Sequence, residues 1–273
     1  YRNKTKLLLK KLHILYSNLD YKMRYLTPEE IKNSHKDEAR AILGESKSQL
    51  NRFGFGIATV KTCLEKSFHG DKNTKILDLG TGSGTFARQL REIGCLNISG
   101  ADIDDYRQDD AKPLYQEFKK ADLGWDKLPW PDGTFDMITA WCILPHLENP
   151  FHCAREVVRI LKKGGVFIFS VPHITSKPAI DYFSKTKNFG HYSGNNNHIA
   201  IFTHPIIKKT ILRDFEIVDI EYAVRPKVFE RGIKGKIRAF VYPLINKYFP
   251  VAGKALRHRW AYDAIYMARK ASQ

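Results

Sequence analysis

A chain of 273 residues with 43% hydrophobic and 12% aromatic residues carries enough apolar material for one large core, or a core with a modest cap, and does not have the composition of a disordered protein. Its four cysteines, Cys63, Cys95, Cys142 and Cys153, show no C-x-x-C spacing and sit in hydrophobic segments, which excludes a disulfide framework or zinc knuckle and predicts a reducing, cytoplasmic setting. The net charge of +16 belongs to the two ends: residues 1–24 carry seven Lys/Arg against one acid, residues 225–273 carry twelve against two, and residues 25–224 carry 26 of each sign, which argues against a fold whose whole surface tracks a polyanion.

Along the chain, Leu8, Leu12, Leu15 and Tyr16 stand at helical spacing among lysines and predict a basic amphipathic helix over 4–16. Thr27-Pro28-Glu29-Glu30 reads as a helix start, with Thr27 capping and Glu30 closing a capping box. A further helix is expected over 46–68, closed by Gly70. Residues 1–70 are thus expected to form a helical segment that packs on or caps the core, and 71–273 the main domain. No apolar run approaches the roughly 18 to 20 residues of a membrane span.

From Lys75 onward short apolar runs alternate with amphipathic stretches, the pattern of a mostly parallel sheet with helices on both faces. Strands are expected at 75–79, 97–102, 118–122, 135–141, 165–171, 215–222 and 262–269, with helices at 84–93, 149–162 and 203–213. The polar stretch from Asp104 to Gln116, interrupted by Pro113, predicts a short or irregular helix. Residues 225–261 read as an insertion before the last strand, with Ile233, Ile237, Phe240, Val241, Leu244, Ile245 and Tyr248 at helical spacing among basic residues.

The segment Ile76-Leu77-Asp78-Leu79-Gly80-Thr81-Gly82-Ser83-Gly84 runs from an apolar strand through a glycine-rich turn into a helix, where backbone N–H groups become available to a ligand. Dinucleotide-binding proteins place G-x-G-x-x-G in the same setting, but here Thr85 occupies the third glycine's position, Gly84 completes G-x-G-x-G, and the acidic Asp78 precedes the loop by two. With these residues the chain resembles the class I S-adenosylmethionine-dependent methyltransferases, especially the large subgroup that includes quinone-biosynthesis and glycan-modifying enzymes. The resemblance runs from Ile76 to about Phe215. It implies a Rossmann-like α/β fold of seven strands, S-adenosylmethionine as cofactor and S-adenosylhomocysteine as product.

It also implies roles for particular residues. Asp78, Gly80, Thr81, Gly82 and Gly84 would form the cofactor loop. Asp102, at the end of Ile98-Ser99-Gly100-Ala101-Asp102, would accept both ribose hydroxyls, which suits an acceptor-only carboxylate, and Ile103 would pack on the adenine. Asp122 and Leu123 would meet the adenine amino group and ring, and Ala140 and Trp141 would border the methionine moiety and the reaction centre. Leu144-Pro145-His146-Leu147 stands where the family often reads Leu-Glu-His, so Pro145 departs from the pattern.

A hydroxyl acceptor calls for a general base, and histidine suits it near neutrality. His173, directly after the fifth strand, and His146, after the fourth, are the candidates expected to border the cleft. His191, Tyr192 and His198, in the polar stretch 190–198, are candidates for holding a hydroxylated substrate. No grouping of His, Cys and acidic residues reads as a metal site.

The expected function is O-methylation of a small-molecule or glycan acceptor, with a lipid-linked acceptor and peripheral contact with an anionic membrane suggested by the basic ends. The alternatives are a tRNA or other RNA methyltransferase, supported by overall basicity but lacking an appended RNA-binding module, and a non-catalytic cofactor-binding scaffold that docks on a membrane or partner. Nothing in the sequence fixes the oligomeric state.

Overall fold

The computed structural model describes residues 47–192, 197–224 and 248–271, together with Ile245. The helices expected at 4–16 and 27–44, and nearly all of the helical stretch expected over 233–248, lie outside the described residues. The described chain folds as helix α1 (Lys47–Ser67), β1 (Ile76–Leu79), α2 (Thr85–Glu92), β2 (Ile98–Asp102), β3 (Glu117–Lys120), β4 (Phe135–Trp141), α3 (Pro150–Ile160), β5 (Leu161–Pro172), α4 (Lys177–Thr186), α5 (His204–Lys209), β6 (Phe215–Ala223), α6 (Pro250–Trp260) and β7 (Asp263–Lys270). One 3-10 turn at Lys112–Leu114 fills the connection expected to be irregular, and another at Leu144–His146 follows β4.

The strands form one sheet in the order β3-β2-β1-β4-β5-β7-β6. β1 through β5 pair in parallel, while β7 runs antiparallel to both β5 and β6. The order reverses between β1 and β4, so a crevice opens beyond the carboxyl ends of those strands, the place where ligands of such sheets bind.

Both faces of the sheet's central strands are buried. Leu77, Leu79, Ile138, Ala140, Phe167 and Phe169 share one face with α3 residues Cys153, Val157 and Ile160 and with Ile207 of α5. Ile76, Met137, Val166 and Ile168 share the other with Val60, Cys63 and Leu64 of α1 and with Phe86 and Leu90 of α2. Double burial explains why these strands read as continuous apolar runs rather than as alternation. It also makes α1 part of the sheet's own core and not only a cap.

Arg159, at the end of α3, pins the turn that leads into β4. Its guanidinium donates to Glu156, to Asp132 and to the carbonyls of Leu128 and Trp130 at 2.7–3.0 Å. Glu156 in turn accepts the Leu128 amide at 2.7 Å, and hydrogen bonds of this charge-assisted kind are each worth roughly 1.5–3 kcal/mol.

α4 was not expected from the sequence, whereas α6 falls within the stretch 225–261 read as a helical insertion. In α4 only Ala179 is buried while Ile180, Tyr182 and Phe183 are exposed. α6 buries only Gly253. The 3.6-residue apolar period from which buried helices are read is weak in α6, and in α4 the apolar side chains that follow it are turned outward.

Candidate active site

The loop after β1 is shaped by three glycines with positive φ, at +72° for Gly80, +49° for Gly82 and +80° for Gly84. They serve different ends. A Cβ on Gly80 would run into the Ile143 side chain, and one on Gly84 would lie 2.5 Å from the Ala111 Cβ, so both are demanded by packing. A Cβ on Gly82 would meet nothing within 4 Å. The loop is therefore closed against protein at its two ends and open at its middle.

Asp102, half-buried at the end of β2, ties that middle to the neighbouring strand. Its Oδ2 accepts the Gly82 amide at 2.9 Å and its Oδ1 accepts its neighbour's amide, that of Ile103, at 2.8 Å. Burial pushes its pKa up to about 6, against the pull of these two amides. Its backbone carbonyl accepts the Ala121 amide at 2.9 Å, which draws the segment after β3 alongside. There Asp122 is half-buried and folds its Oδ1 back onto the Gly124 amide at 2.8 Å, and Leu123 is buried in the core.

Asp78 lies beneath the loop rather than in its mouth. It is 1% exposed, and its two oxygens accept the hydroxyls of Tyr115 and Thr139, each at 3.1 Å. Burial pushes its pKa up to about 7, with the two hydroxyls opposing. Thr81 is buried beside it in the loop. Ala140 points into the core, whereas Trp141 turns to the opposite face, where its ring lies against Gly56 of α1 and 4.6 Å from the Phe86 ring. A Cβ on Gly56 would overlap that indole at 2.8 Å, so a glycine within a helix marked this contact, and sequence reasoning passed over it.

The chain leaves β4 through Cys142, a buried residue with φ +58°, a conformation that costs a non-glycine side chain and collects at functional sites. Its amide donates to Ser170 Oγ at 3.0 Å, and its Sγ lies 3.8 Å from Nε2 of His198. His198 and His146 pack together with ring centroids 4.5 Å apart, and Tyr192 lies 5.4 Å from His198. The His191 ring lies tilted against Tyr262, with centroids 3.6 Å apart. Four of the expected residues, His146, His191, Tyr192 and His198, thus gather beyond the end of β4. The Pro145 carbonyl, at the position that departs from the family pattern, holds this arrangement by accepting the amides of Ile199 and Ala200 at 2.8 and 3.0 Å.

Carbonyl partners fix the chemistry of both central imidazoles. Nδ1 of His146 lies 3.1 Å from the Asn197 carbonyl, and Nδ1 of His198 lies 2.7 Å from the His191 carbonyl. A carbonyl oxygen only accepts, so in each ring Nδ1 carries the hydrogen and Nε2 is the proton acceptor.

His173 departs from expectation. Its amide continues the β5–β7 pairing by donating to the Tyr262 carbonyl at 2.8 Å, and its ring turns to Tyr222 and His258, at 5.2 and 4.9 Å. Its Nε2 donates to the His258 carbonyl at 3.0 Å. Burial, reinforced by His258, pushes its pKa down to about 4. Such a group is a poor proton acceptor at neutral pH, and the base role assigned to it from the sequence is withdrawn.

A family model described as "Methyltransferase domain" matches residues 49–212, more than half of the chain. The chain belongs to the S-adenosylmethionine-dependent methyltransferases. Among relatives of this family, it is 30% identical over 122 residues to a sarcosine/dimethylglycine N-methyltransferase of Aphanothece halophytica, covering 42% of this chain and 44% of that one. It is 31% identical over 101 residues to cycloartenol-C-24-methyltransferase 1 of Oryza sativa subsp. japonica, covering 34% and 29%. The matched stretches therefore span less than half the length of these relatives. In fold it is similar to YcgJ of Bacillus subtilis, with TM-score 0.50 and 16% identity over 81% of this chain and 99% of that one. A chain in the complex of the Haloferax volcanii Trm112 methyltransferase activator gives TM-score 0.51 and 17% identity over 81% and 97%.

The residues present fit the family's cofactor, S-adenosylmethionine. Gly82 leaves open space, the carboxylate of Asp102 borders it, and two buried polar atoms, the Tyr106 hydroxyl and Trp141 Nε1, have no hydrogen-bond partner among the described residues. Tyr106, which sequence reasoning missed, has its pKa pushed up to about 12 by burial, with the nearby Asp102 and Asp104 adding to the shift. The role expected of Asp102, taking two hydroxyl donors at once, needs the ionised carboxylate, because protonation turns one of its oxygens into a donor. Lowering the pH through about 6 should therefore weaken cofactor affinity, approaching tenfold per pH unit well below that value. Asp102→Asn should bind weakly at every pH without that slope; a calorimetric series in which wild-type affinity stays constant from pH 8 to about pH 5 would remove Asp102 from the site.

Proposed function

We propose that the protein transfers a methyl group to a hydroxyl of a neutral, glycan-type or other hydroxylated acceptor, with Asp102, Gly82, Asp122 and Trp141 holding the cofactor. The observation that carries this reading is the pair of imidazoles, His146 and His198, each locked with Nε2 as proton acceptor beyond the end of β4. Oxygen differs from an amine in that its proton must leave as the new bond forms, so a placed base is what an O-directed site requires. The acceptors in the relatives' names, an amine and a sterol, differ among themselves, so the reading rests on this chain's own side chains.

In this mechanism S-adenosylmethionine supplies an electrophilic methyl group. The protein holds the acceptor hydroxyl in line with it and keeps water out. His146 Nε2 takes the hydroxyl proton, while the Asn197 carbonyl keeps the ring oriented through Nδ1. His198, oriented by the His191 carbonyl and in contact with the Cys142 thiol, packs edge-on against His146 and keeps its ring in place. The half-buried Tyr192 donates to the Ala200 carbonyl at 3.1 Å and holds the chain in this region.

Given S-adenosylmethionine labelled in its methyl group and fractionated cell extract, the protein should label a hydroxylated acceptor. His146→Ala should lower the rate about 10²–10⁴-fold with little change in calorimetric cofactor affinity. Label arriving in RNA instead, or a His146→Ala protein with wild-type turnover, would contradict the proposal.

A second observation supports an acceptor presented at a membrane. α4 and α6 lie against each other, and together with the residues before α6 they expose Ile180, Tyr182, Phe183, Tyr248, Phe249 (65% exposed) and Val251 (84% exposed). Lys185, Lys187 and Arg259 are exposed in the same elements or just beyond them. Apolar side chains rimmed by cations suit peripheral binding to an anionic surface. No helix among the described residues is long and apolar enough to cross a membrane. Vesicles rich in phosphatidylglycerol should retain the protein at low salt and release it at high salt, and Phe249→Ser with Val251→Ser should weaken retention. Equal recovery from neutral and anionic vesicles would dismiss this localisation.

A further inference from the structure

A cavity of about 210 Å³ opens beyond the carboxyl end of β5, on the side of the sheet formed by β5, β7 and β6. It is separate from the loop of Gly82 and from the imidazole pair: its walls come from the segment after β5, the start of α5, the end of β6 and the last turn of α6. Its floor is apolar, built by Val171, Phe202, Ile207, Ile220 and Ala264. That volume is below the ~300–1,000 Å³ of pockets for drug-sized ligands and suits one ring.

The chemistry of the wall is distinctive in what it carries and in what it lacks. Three imidazoles (His173, His204, His258), two phenols (Tyr222, Tyr266) and two threonine hydroxyls (Thr175, Thr203) line it, and none of its fourteen lining residues is Asp, Glu, Lys or Arg. Of the neighbouring charges, Lys254 pairs with Asp219 and Arg257 with Glu221 at 3.2 Å, while the buried Asp263 at the start of β7, outside the lining, acts on His173. The aromatic groups are arranged as surfaces. His173, Tyr222 and His258 pack mutually at 4.9–5.2 Å, and the His204 ring lies nearly parallel to Tyr266, with 13° between their planes and Nδ1 3.3 Å from the phenolic oxygen. Such walls offer flat apolar faces together with hydrogen-bonding edges. The ligand that matches both is a ring with an apolar C–H face and a fringe of hydroxyls, and it is uncharged, because a buried charge without a partner is costly. His173 is neutral around pH 7, its pKa being pushed down to about 4 by burial, so it does not alter that balance.

We propose that this cavity is a binding subsite for one neutral sugar ring, through which the acceptor is gripped beside the hydroxyl that is methylated. This deepens the glycan reading given above and rests on it for the link to catalysis, but ring binding is measurable without turnover.

The test uses the intact chain labelled with ¹³C in its histidine imidazoles, titrated to the solubility limit with methyl β-D-glucopyranoside, methyl β-D-galactopyranoside, methyl α-D-mannopyranoside, glucose 6-phosphate and phenol. At least one neutral glycoside should shift the signals of His173, His204 and His258 saturably and leave His146 unmoved. Thr175→Trp, which places a bulky group at the exposed rim, should abolish the shifts, and Tyr222→Phe, which removes only a hydroxyl, should weaken binding several-fold in a protein with an unchanged melting temperature. No response to any of the three glycosides, or a stronger response to glucose 6-phosphate or phenol, overturns the proposal. Saturable glycoside binding with label transferred to RNA would sink the O-methylation reading while leaving the subsite intact; labelling of a hydroxylated acceptor with no glycoside response would do the reverse.

Discussion

One hydrogen bond organises the site: the Gly82 amide donating to the Asp102 carboxylate. It joins the turn after β1 to the end of β2, at the point where the sheet order reverses. The glycines on either side of Gly82 are closed against Ile143 and Ala111, so the loop cannot relax by sliding along the strand. Asp102 is held by two amides yet retains lone pairs on both oxygens, and it borders the open space above Gly82. Everything else in the carboxyl-edge crevice is placed relative to this tie: Asp122 through the Ala121–Asp102 backbone pairing, and Trp141 through the neighbouring strand.

The two buried acids of this region work against stability in a manner that fits a ligand site. An acid whose folded pKa is raised binds its proton more tightly folded than unfolded, so ionising it costs stability as the pH rises from the ordinary carboxylate range through the folded value. For Asp78 that value is about 7 and for Asp102 about 6. Asp78 is compensated within the protein by the Tyr115 and Thr139 hydroxyls. Asp102 takes two backbone amides, with the Thr81 hydroxyl close by, and still has lone pairs for the hydroxyl donors that a ligand would bring. A perturbed carboxylate at a strand end beside an open glycine is therefore better explained by binding than by folding.

The strand framework was legible because buried parallel strands advertise themselves as apolar runs, and all seven appear within a few residues of their expected places. β5 is the largest deviation: it starts at Leu161, four residues early, by passing through Gly164 at φ +72° and Gly165, where a Cβ would lie 3.0 Å from the Asp136 carbonyl. The glycine turn after β1 and its acidic neighbour at the end of β2 were legible too, since positive φ and a carboxylate at a strand end follow from residue type. Orientation was not. That Asp78 faces Tyr115 and Thr139, 37 and 61 positions away, or that His173 turns toward β6 and α6, depends on which face of the sheet a side chain takes and on contacts across elements. α4 was missed for a related reason, since its apolar residues Ile180, Tyr182 and Phe183 point outward instead of into the core, whereas α6 lies within the stretch 225–261 read as a helical insertion. The outward residues of both, Phe249 and Val251 among them, are what make these helices informative about a partner surface.

The most direct test of the Gly82–Asp102 crevice fills it. Gly82→Leu places a side chain in the open space at a left-handed residue, and Gly164→Leu, at φ +72° with nothing within 4 Å of its Cβ, carries the same backbone strain, roughly 1–2 kcal/mol, away from the site. Calorimetric titration of S-adenosylmethionine should show wild-type affinity for Gly164→Leu and no saturable binding for Gly82→Leu, with the two variants melting at similar temperatures. Wild-type affinity in Gly82→Leu would show that the cofactor lies elsewhere and would contradict the account.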